Sequence, residues 1–203
     1  MILPKMRELK EAFTSLFTRP YTSKFPFTKE PYVPVEQFRG KPIYDEENCV
    51  GCGTCAQVCP AEAIDMIDVP GEKKRILKVS YTHCIFCGQC EGHCITGNGI
   101  KLSNDYITAT FSSDKDASNM QIKKELLVCP VCGTIIGTPD QLDWIIERLG
   151  PKAYGHPNLL VRIQNRYSKI PDSNFKGKMR REDYYKLMCP KCRHEVALKD
   201  VFG

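Results

Sequence analysis

Eight of the chain's 12 cysteines lie between Cys49 and Cys94, in two copies of one spacing. The first copy is Cys49-Val50-Gly51-Cys52-Gly53-Thr54-Cys55-Ala56-Gln57-Val58-Cys59-Pro60. The second, 35 residues further on, is Cys84-Ile85-Phe86-Cys87-Gly88-Gln89-Cys90-Glu91-Gly92-His93-Cys94-Ile95. In such a run, three thiolates on a tight, glycine-containing loop converge on three irons of a 4Fe–4S cube. The fourth cysteine opens a helix and points away, so in chains with two clusters it ligates the other cube. The spacing therefore predicts one cluster on Cys49, Cys52, Cys55 and Cys94, and a second on Cys84, Cys87, Cys90 and Cys59. Eight structural cysteines in disulfides or zinc knuckles are the competing reading, and the repeated C-x2-C-x2-C-x3-C run argues against it.

Twelve cysteines in four short groups, with no signal peptide ahead of them, point to a reducing compartment and to metals over disulfides. At 203 residues with 9% aromatics, one or two domains with a modest core are expected. No apolar run approaches the roughly 18 residues of a spanning helix, so membrane association would pass through partners or lie along the surface. The formal charge of +5 counts the cysteines as neutral. Metal coordination deprotonates a thiol, which brings a metal-loaded chain near neutrality and weakens the case for a nucleic-acid partner.

Three segments around the paired motifs carry a resemblance. Phe38-Arg39-Gly40-Lys41-Pro42, then His83 to Cys90, then Gly99-Ile100-Lys101-Leu102-Ser103 resemble the eight-iron ferredoxin-like subunit of respiratory complex I. They are still more similar to its relative in formate hydrogenlyase and other membrane-bound NiFe hydrogenases. The likeness covers about residues 36–110 and extends loosely to the C-terminus. It implies an electron-transfer subunit that relays electrons through two 4Fe–4S clusters and has no substrate pocket. Its partners would be a NiFe hydrogenase small subunit, other subunits of the complex and an electron-donor iron–sulfur protein. Its place would be the cytoplasmic side, peripheral to the cell membrane. Where the family's second motif continues Cys-Pro-Thr, this chain has Cys94-Ile95-Thr96, without the fixed φ of proline.

Along the chain, residues 4–18 place Met6, Leu9, Phe13, Leu16 and Phe17 at helical spacing, an amphipathic helix suited to docking on a partner. Residues 19–42 hold five prolines and read as an extended arm. We assign residues 1–35 to this helix and docking arm, and 36–111 to the ferredoxin-like domain. In that domain Ile64-Asp65-Met66 and Ile100-Lys101-Leu102 are matching strands, Val69-Pro70-Gly71-Glu72 is a turn, and Arg75–Val79 returns as a second strand. Phe86 and Ile64 are expected to shield cluster sulfurs from water, whereas His83 and His93 read as surface or hydrogen-bonding histidines. Residues 112–125 read as a polar linker.

Residues 126–203 form a module with Cys129-Pro130-Val131-Cys132 and Cys189-Pro190-Lys191-Cys192, each expected on a hairpin turn, as in a zinc ribbon or rubredoxin. Four thiolates suit one zinc, and mononuclear iron takes the same ligands. Between the pairs, Thr138-Pro139-Asp140-Gln141 caps a helix that Gly150-Pro151 stops, with Leu142, Ile145, Ile146 and Leu149 buried and Trp144 beside them. The fold class is thus α+β. Residues 152–199 carry twelve Lys or Arg, among them Lys176, Lys178, Arg180 and Arg181, against four acids. That admits nucleic-acid binding as a distant alternative, but Tyr167, Phe175, Tyr184 and Tyr185 make no stacking pattern. A wire subunit of a complex I-like dehydrogenase is the nearer one. No triad, phosphate loop or dinucleotide fingerprint suggests catalysis by the chain alone.

Overall fold

The computed structural model describes residues 5–18, 33–108, 118–167 and 181–202. The chain divides into two units, residues 1–38 and 39–203. In the first, helix α1 spans Met6–Phe17. The Lys5 N–H, left over at the helix start, donates to Glu8 Oε2 at 3.3 Å. None of its residues is buried, and the Phe13 and Phe17 rings meet at a tilt of 53° with centroids 5.5 Å apart. Most of the expected Pro-rich arm lies outside the described residues.

In the second unit the cysteine loops are joined by short strands. Strand β1 (Pro42–Tyr44) leads into the first loop, which ends in the single turn α2 (Thr54–Gln57). Strands β2 (Ile64–Val69) and β3 (Lys74–Ser80) form an antiparallel hairpin around a 3-10 turn at Pro70–Glu72. The second loop ends in α3 (Gln89–Gly92), and β4 (Ile100–Leu102) returns to pair with β1. Each motif thus gives loop, helical turn and strand, the two-fold plan expected. Leu77, Val79, Ile100, Ile122 and Tyr44 form the buried core, packed directly on the Cys49, Cys55 and Cys90 side chains.

The polar linker expected over 112–125 is corrected from Asn119 onward. Strand β5 (Asn119–Glu125) adds to the free edge of β3, from Ser80↔Asn119 to Lys74↔Glu125. Met120 and Ile122 alternate inward, and Ile122 is almost fully buried. With five polar residues in seven, composition reads as linker, while the period of two reads as an edge strand. Residues 109–117 lie outside the described residues.

The C-terminal part continues without a break, because β6 (Leu127–Val128) follows β5 at once and pairs with β7 (Ile135–Gly137). Helix α4 (Pro139–Leu149) starts as expected, with Thr138 Oγ1 accepting the Gln141 N–H at 3.2 Å. Leu142, Ile145 and Ile146 pack on Ala153, Leu159 and Leu187. Leu149 departs from the expected stripe and is 42% exposed, since the helix ends beside Gly150 before another turn can cover it. Trp144 is half-buried, with the Arg148 guanidinium 5.2 Å over its ring. A 3-10 stretch, Gly150–Gly155, leads to α5 (Pro157–Tyr167), and α6 (Pro190–Phe202) closes the chain. Lys176, Lys178, Arg180 and Phe175 lie outside the described residues.

Candidate iron–sulfur sites and a four-cysteine metal centre

Two small apolar cavities flank the ferredoxin-like core. Cys49, Cys52, Cys55 and Cys94 line the first, with Tyr44, Thr54 and Thr96 among its walls. Cys59, Cys84, Cys87 and Cys90 line the second, together with Ile64 and Phe86. Each cavity thus brings together three cysteines of one motif and the last cysteine of the other. The helical turns α2 and α3 cause the exchange by carrying Cys59 and Cys94 past their own loops.

Local backbone chemistry shapes the cradles. Gly53 and Gly88, at the same place in the two motifs, precede α2 and α3 in the left-handed region at φ +79° and +80°. A Cβ on Gly53 would come within 2.4 Å of Met66 Sδ. Gly51 and Phe86 are a second matched pair, at φ +66° and +53°. A Cβ on Gly51 would press on Thr138 and Lys124 at 3.1–3.2 Å, so packing against β5 and α4 requires glycine there. Phe86 accepts the same strained conformation to place its ring against the second cavity.

The sulfurs sit in different electrostatic settings. Burial pushes Cys55 and Cys90 up to about 11, and raises Cys49 and Cys84 as well. Burial also works against the Cys94 thiolate, but hydrogen bonds from Thr96, Gly99 and Ile100 outweigh it and bring this thiol below its usual value. Burial pushes the Tyr44 phenol far above its ordinary range, so it stays protonated. Arg75, itself buried, grips Asp68 through Nε and Nη2 at 2.6 and 2.8 Å and donates from Nη1 to the Gly51 carbonyl at 2.8 Å. Lys124 reaches the Glu46 carbonyl at 2.6 Å and Asp140 at 3.0 Å, and its charge favours the Cys49 thiolate. Across the fold, Arg39 donates to the Cys87 carbonyl at 3.3 Å. His83 and His93 are both exposed, and His93 hydrogen-bonds the Gln89 carbonyl of its own turn.

The remaining four cysteines form a different kind of centre. The sulfurs of Cys129, Cys132, Cys189 and Cys192 all lie within 4.8 Å of one another, the only such group of three or more metal-ligating side chains among the described residues. Metal–sulfur bonds of about 2.3 Å in a tetrahedron place sulfurs about 3.8 Å apart, so one ion fits this set. Among the described residues the eight other cysteines form no group this tight. Cys129 and Cys132 sit on the β6–β7 turn, where Gly133 is left-handed at φ +72°. Cys189 and Cys192 correct the expectation of a second hairpin, because they stand at the start of α6. Pro190 at its first position favours a helix start there. Cys132, exposed and hydrogen-bonded first by Thr134 and then by Cys189 and Cys192, is held down to about 6, while burial pushes Cys192 up.

Arg75, Lys124 and the hydroxyls escaped the motif reading, although the hydroxyls had a signal. A Cys-x-Thr step recurs at Cys52–Thr54, Cys94–Thr96 and Cys132–Thr134. It returns the threonine hydroxyl to its own cysteine's sulfur, at 3.3, 3.3 and 3.1 Å respectively.

Fold and cavities define a ferredoxin-like iron–sulfur scaffold with an appended four-cysteine centre. The 4Fe-4S dicluster domain family matches residues 48–98. NADH-quinone oxidoreductase subunit I 2 of Geobacter metallireducens is 29% identical over 124 residues, 56% of this chain and 91% of that protein. Formate hydrogenlyase subunit 6 of Escherichia coli is 33% identical over 128 residues, 63% of this chain and 68% of that protein. A chain in the structure of the membrane-bound sulfane sulfur reductase, an archaeal respiratory membrane complex, aligns over 57% of this chain and 61% of its own length, at 29% identity and a TM-score of 0.37. The chain belongs to the family of ferredoxin-like iron–sulfur subunits that includes formate hydrogenlyase subunit 6 and NADH-quinone oxidoreductase subunit I.

Proposed function

We propose that this chain is an electron-transfer subunit of a membrane-associated NiFe hydrogenase complex of the formate hydrogenlyase type. The observation that carries the reading is the pair of cavities, each walled by four thiols that no disulfide occupies. Cys49, Cys52, Cys55 and Cys94 hold one 4Fe–4S cluster, and Cys59, Cys84, Cys87 and Cys90 the other. Bound there, each cluster supplies a one-electron site. The chain's own residues fix the rest. The helical turns hold the two sites on either side of one core, Ile64 and Phe86 keep water from the second, and Tyr44 and Leu77 close the first.

Residues 129–192 hold one structural zinc through Cys129, Cys132, Cys189 and Cys192, with mononuclear iron as the alternative. Four thiolates leave no open position for substrate chemistry. Residues 1–35 are a helix and docking arm, 36–111 the ferredoxin-like domain, and 126–203 the metal-binding module that β5 ties to it. Among the described residues no helix is long and apolar enough to cross a membrane, so attachment runs through partners on the cytoplasmic side. These are the hydrogenase small subunit and an electron-donor iron–sulfur protein.

A complex I-like dehydrogenase is the second reading, favoured by the 91% coverage of the Geobacter relative. Affinity purification of the tagged chain from its own cells decides between them. Co-purifying NiFe hydrogenase subunits are the expected result, with eight irons and one zinc per chain. NADH- or quinone-reactive subunits in their place would move the assignment to the dehydrogenase. A ninth iron without zinc would make the four-cysteine centre rubredoxin-like.

A further inference from the structure

The two cavities are twins by backbone but differ in hydroxyls. At the first, Tyr44 Oη lies 3.5 Å from Cys55 Sγ, Thr54 Oγ1 3.3 Å from Cys52 Sγ and Thr96 Oγ1 3.3 Å from Cys94 Sγ. Among the described residues no hydroxyl reaches Cys59, Cys84, Cys87 or Cys90, whose donors are backbone N–H groups such as Ala63, 3.3 Å from Cys59. Backbone N–H groups serve both sites, Gly51 at Cys49 and its counterpart Phe86 at Cys84, and at the first site Thr96, Gly99 and Ile100 add theirs to Cys94. The residues that follow the second set's cysteines by two, namely Ala61, Phe86, Gln89 and Gly92, carry no hydroxyl.

A sulfur bound to iron has no proton to give, so each hydroxyl at this distance must be the donor. Thr96 is fixed in that role, because its oxygen already accepts the Gly99 N–H at 3.0 Å and its own proton is left for sulfur. Tyr44 is almost fully buried, and its hydroxyl meets Cys55 Sγ. Reduction adds one electron, and hence negative charge, to the cluster and its sulfurs, and transfers no proton. Donors aimed at those sulfurs stabilise the reduced form more than the oxidised one, and such bonds are among the factors that set cluster potentials. We propose that Tyr44, Thr54 and Thr96 are positioning residues that raise the potential of the cluster on Cys49, Cys52, Cys55 and Cys94 above that of its twin. An electron entering the chain then comes to rest at this end, beside β5 and α4. The inference rests on the two-cluster reading of the preceding section.

The test is an anaerobic dithionite titration of the full-length, iron-loaded protein, followed by electron paramagnetic resonance. Each signal is assigned beforehand by its alteration in Cys52→Ser or Cys87→Ser. The native protein should show two potentials, the higher belonging to the Cys52 signal. Tyr44→Phe, Thr54→Val and Thr96→Val should each lower that potential alone. The expected size is a roughly tenfold change in the reduced-to-oxidised ratio at fixed potential, about 59 mV for one electron. Thr96→Ser, which keeps the hydroxyl, should restore the native value. If the variants move neither potential, move both equally, or leave the Cys87 cluster the higher, the tuning role is wrong. Iron assay comes first: fewer than eight irons in the native protein would instead overturn the two-cluster reading, and the inference with it.

Discussion

At the scale of single residues, Arg75 shows how charge is used inside this small core. It is 7% exposed, its partner Asp68 is held by two short bonds, and its third contact fixes the Gly51 carbonyl in the first cysteine loop. Arg75→Met would leave the Asp68 carboxylate enclosed without its cation, which costs about 3–5 kcal/mol for a buried pair. Denaturant unfolding of the metal-loaded protein should show the midpoint falling accordingly. Arg7→Ala, which removes an exposed i,i+4 pair with Glu11, should change stability by less than about 1 kcal/mol. Equal effects from the two changes would sink the argument. The Gly51–Phe86 pair makes a related point: one backbone shape recurs in both motifs, and what packs outside each loop decides which side chain it carries.

At the scale of elements, the C-terminal part rests on two supports. One is the four-cysteine site, proposed to hold a metal, where the β6–β7 turn meets the start of α6 around Met188 and Val196. Metal binding free energy becomes folding free energy in such modules. Treatment with a zinc chelator should therefore expose the buried Cys129, Cys189 and Cys192 to thiol reagents and reduce helical circular dichroism. The iron–sulfur absorption should persist; its parallel loss would mean the four-cysteine centre also supports the cluster sites. The other support joins α4 to α5, where Asp143 accepts from Arg162 Nε and Nη2 at 2.8 Å each and from Arg166 at 3.0 Å. Burial alone would raise the Asp143 pKa, but the two arginines outweigh it and lower the pKa below the ordinary value. A depressed carboxylate contributes its stability above the unfolded pKa of about 4 and loses it as pH falls through the folded value. Asp143→Asn should thus destabilise the protein at pH 7 and flatten the acid limb of stability below about pH 4. A variant whose acid limb matches the native one would exclude this pair as a source of pH dependence.

At the scale of the whole molecule, residues 1–38 and 39–203 are separate units, and both proposed cluster sites and the four-cysteine site belong to the second. The α1 helix leaves Met6, Phe13, Leu16 and Phe17 exposed. A chain lacking residues 1–38 should keep the metal content of the full-length protein and both cluster signals. It should fail to co-purify with the complex or to support hydrogen evolution. Stoichiometric recovery of the truncated chain with its partners would show that docking resides in the ferredoxin-like unit.

Much of this was legible from residue order alone, because iron–sulfur ligation is a local demand. The spacing of Cys49 to Cys59 and of Cys84 to Cys94 determined the loops, the helical turns and the exchange of the fourth cysteine. The capping at Thr138 determined where α4 begins. What lay beyond such reading depends on contacts between distant segments. β5 is a strand because the β3 edge was free to receive it, despite its polar composition. The second cysteine pair of the C-terminal centre opens a helix because a fourfold thiol site constrains where sulfurs meet, not which element brings them there. Tyr44 reaches Cys55 because the pairing of β1 with the distant β4, where Tyr44 stands opposite Ile100, turns it inward. A ligand motif specifies its own coordinates, whereas the dipoles that surround it are supplied by whatever the tertiary fold packs alongside.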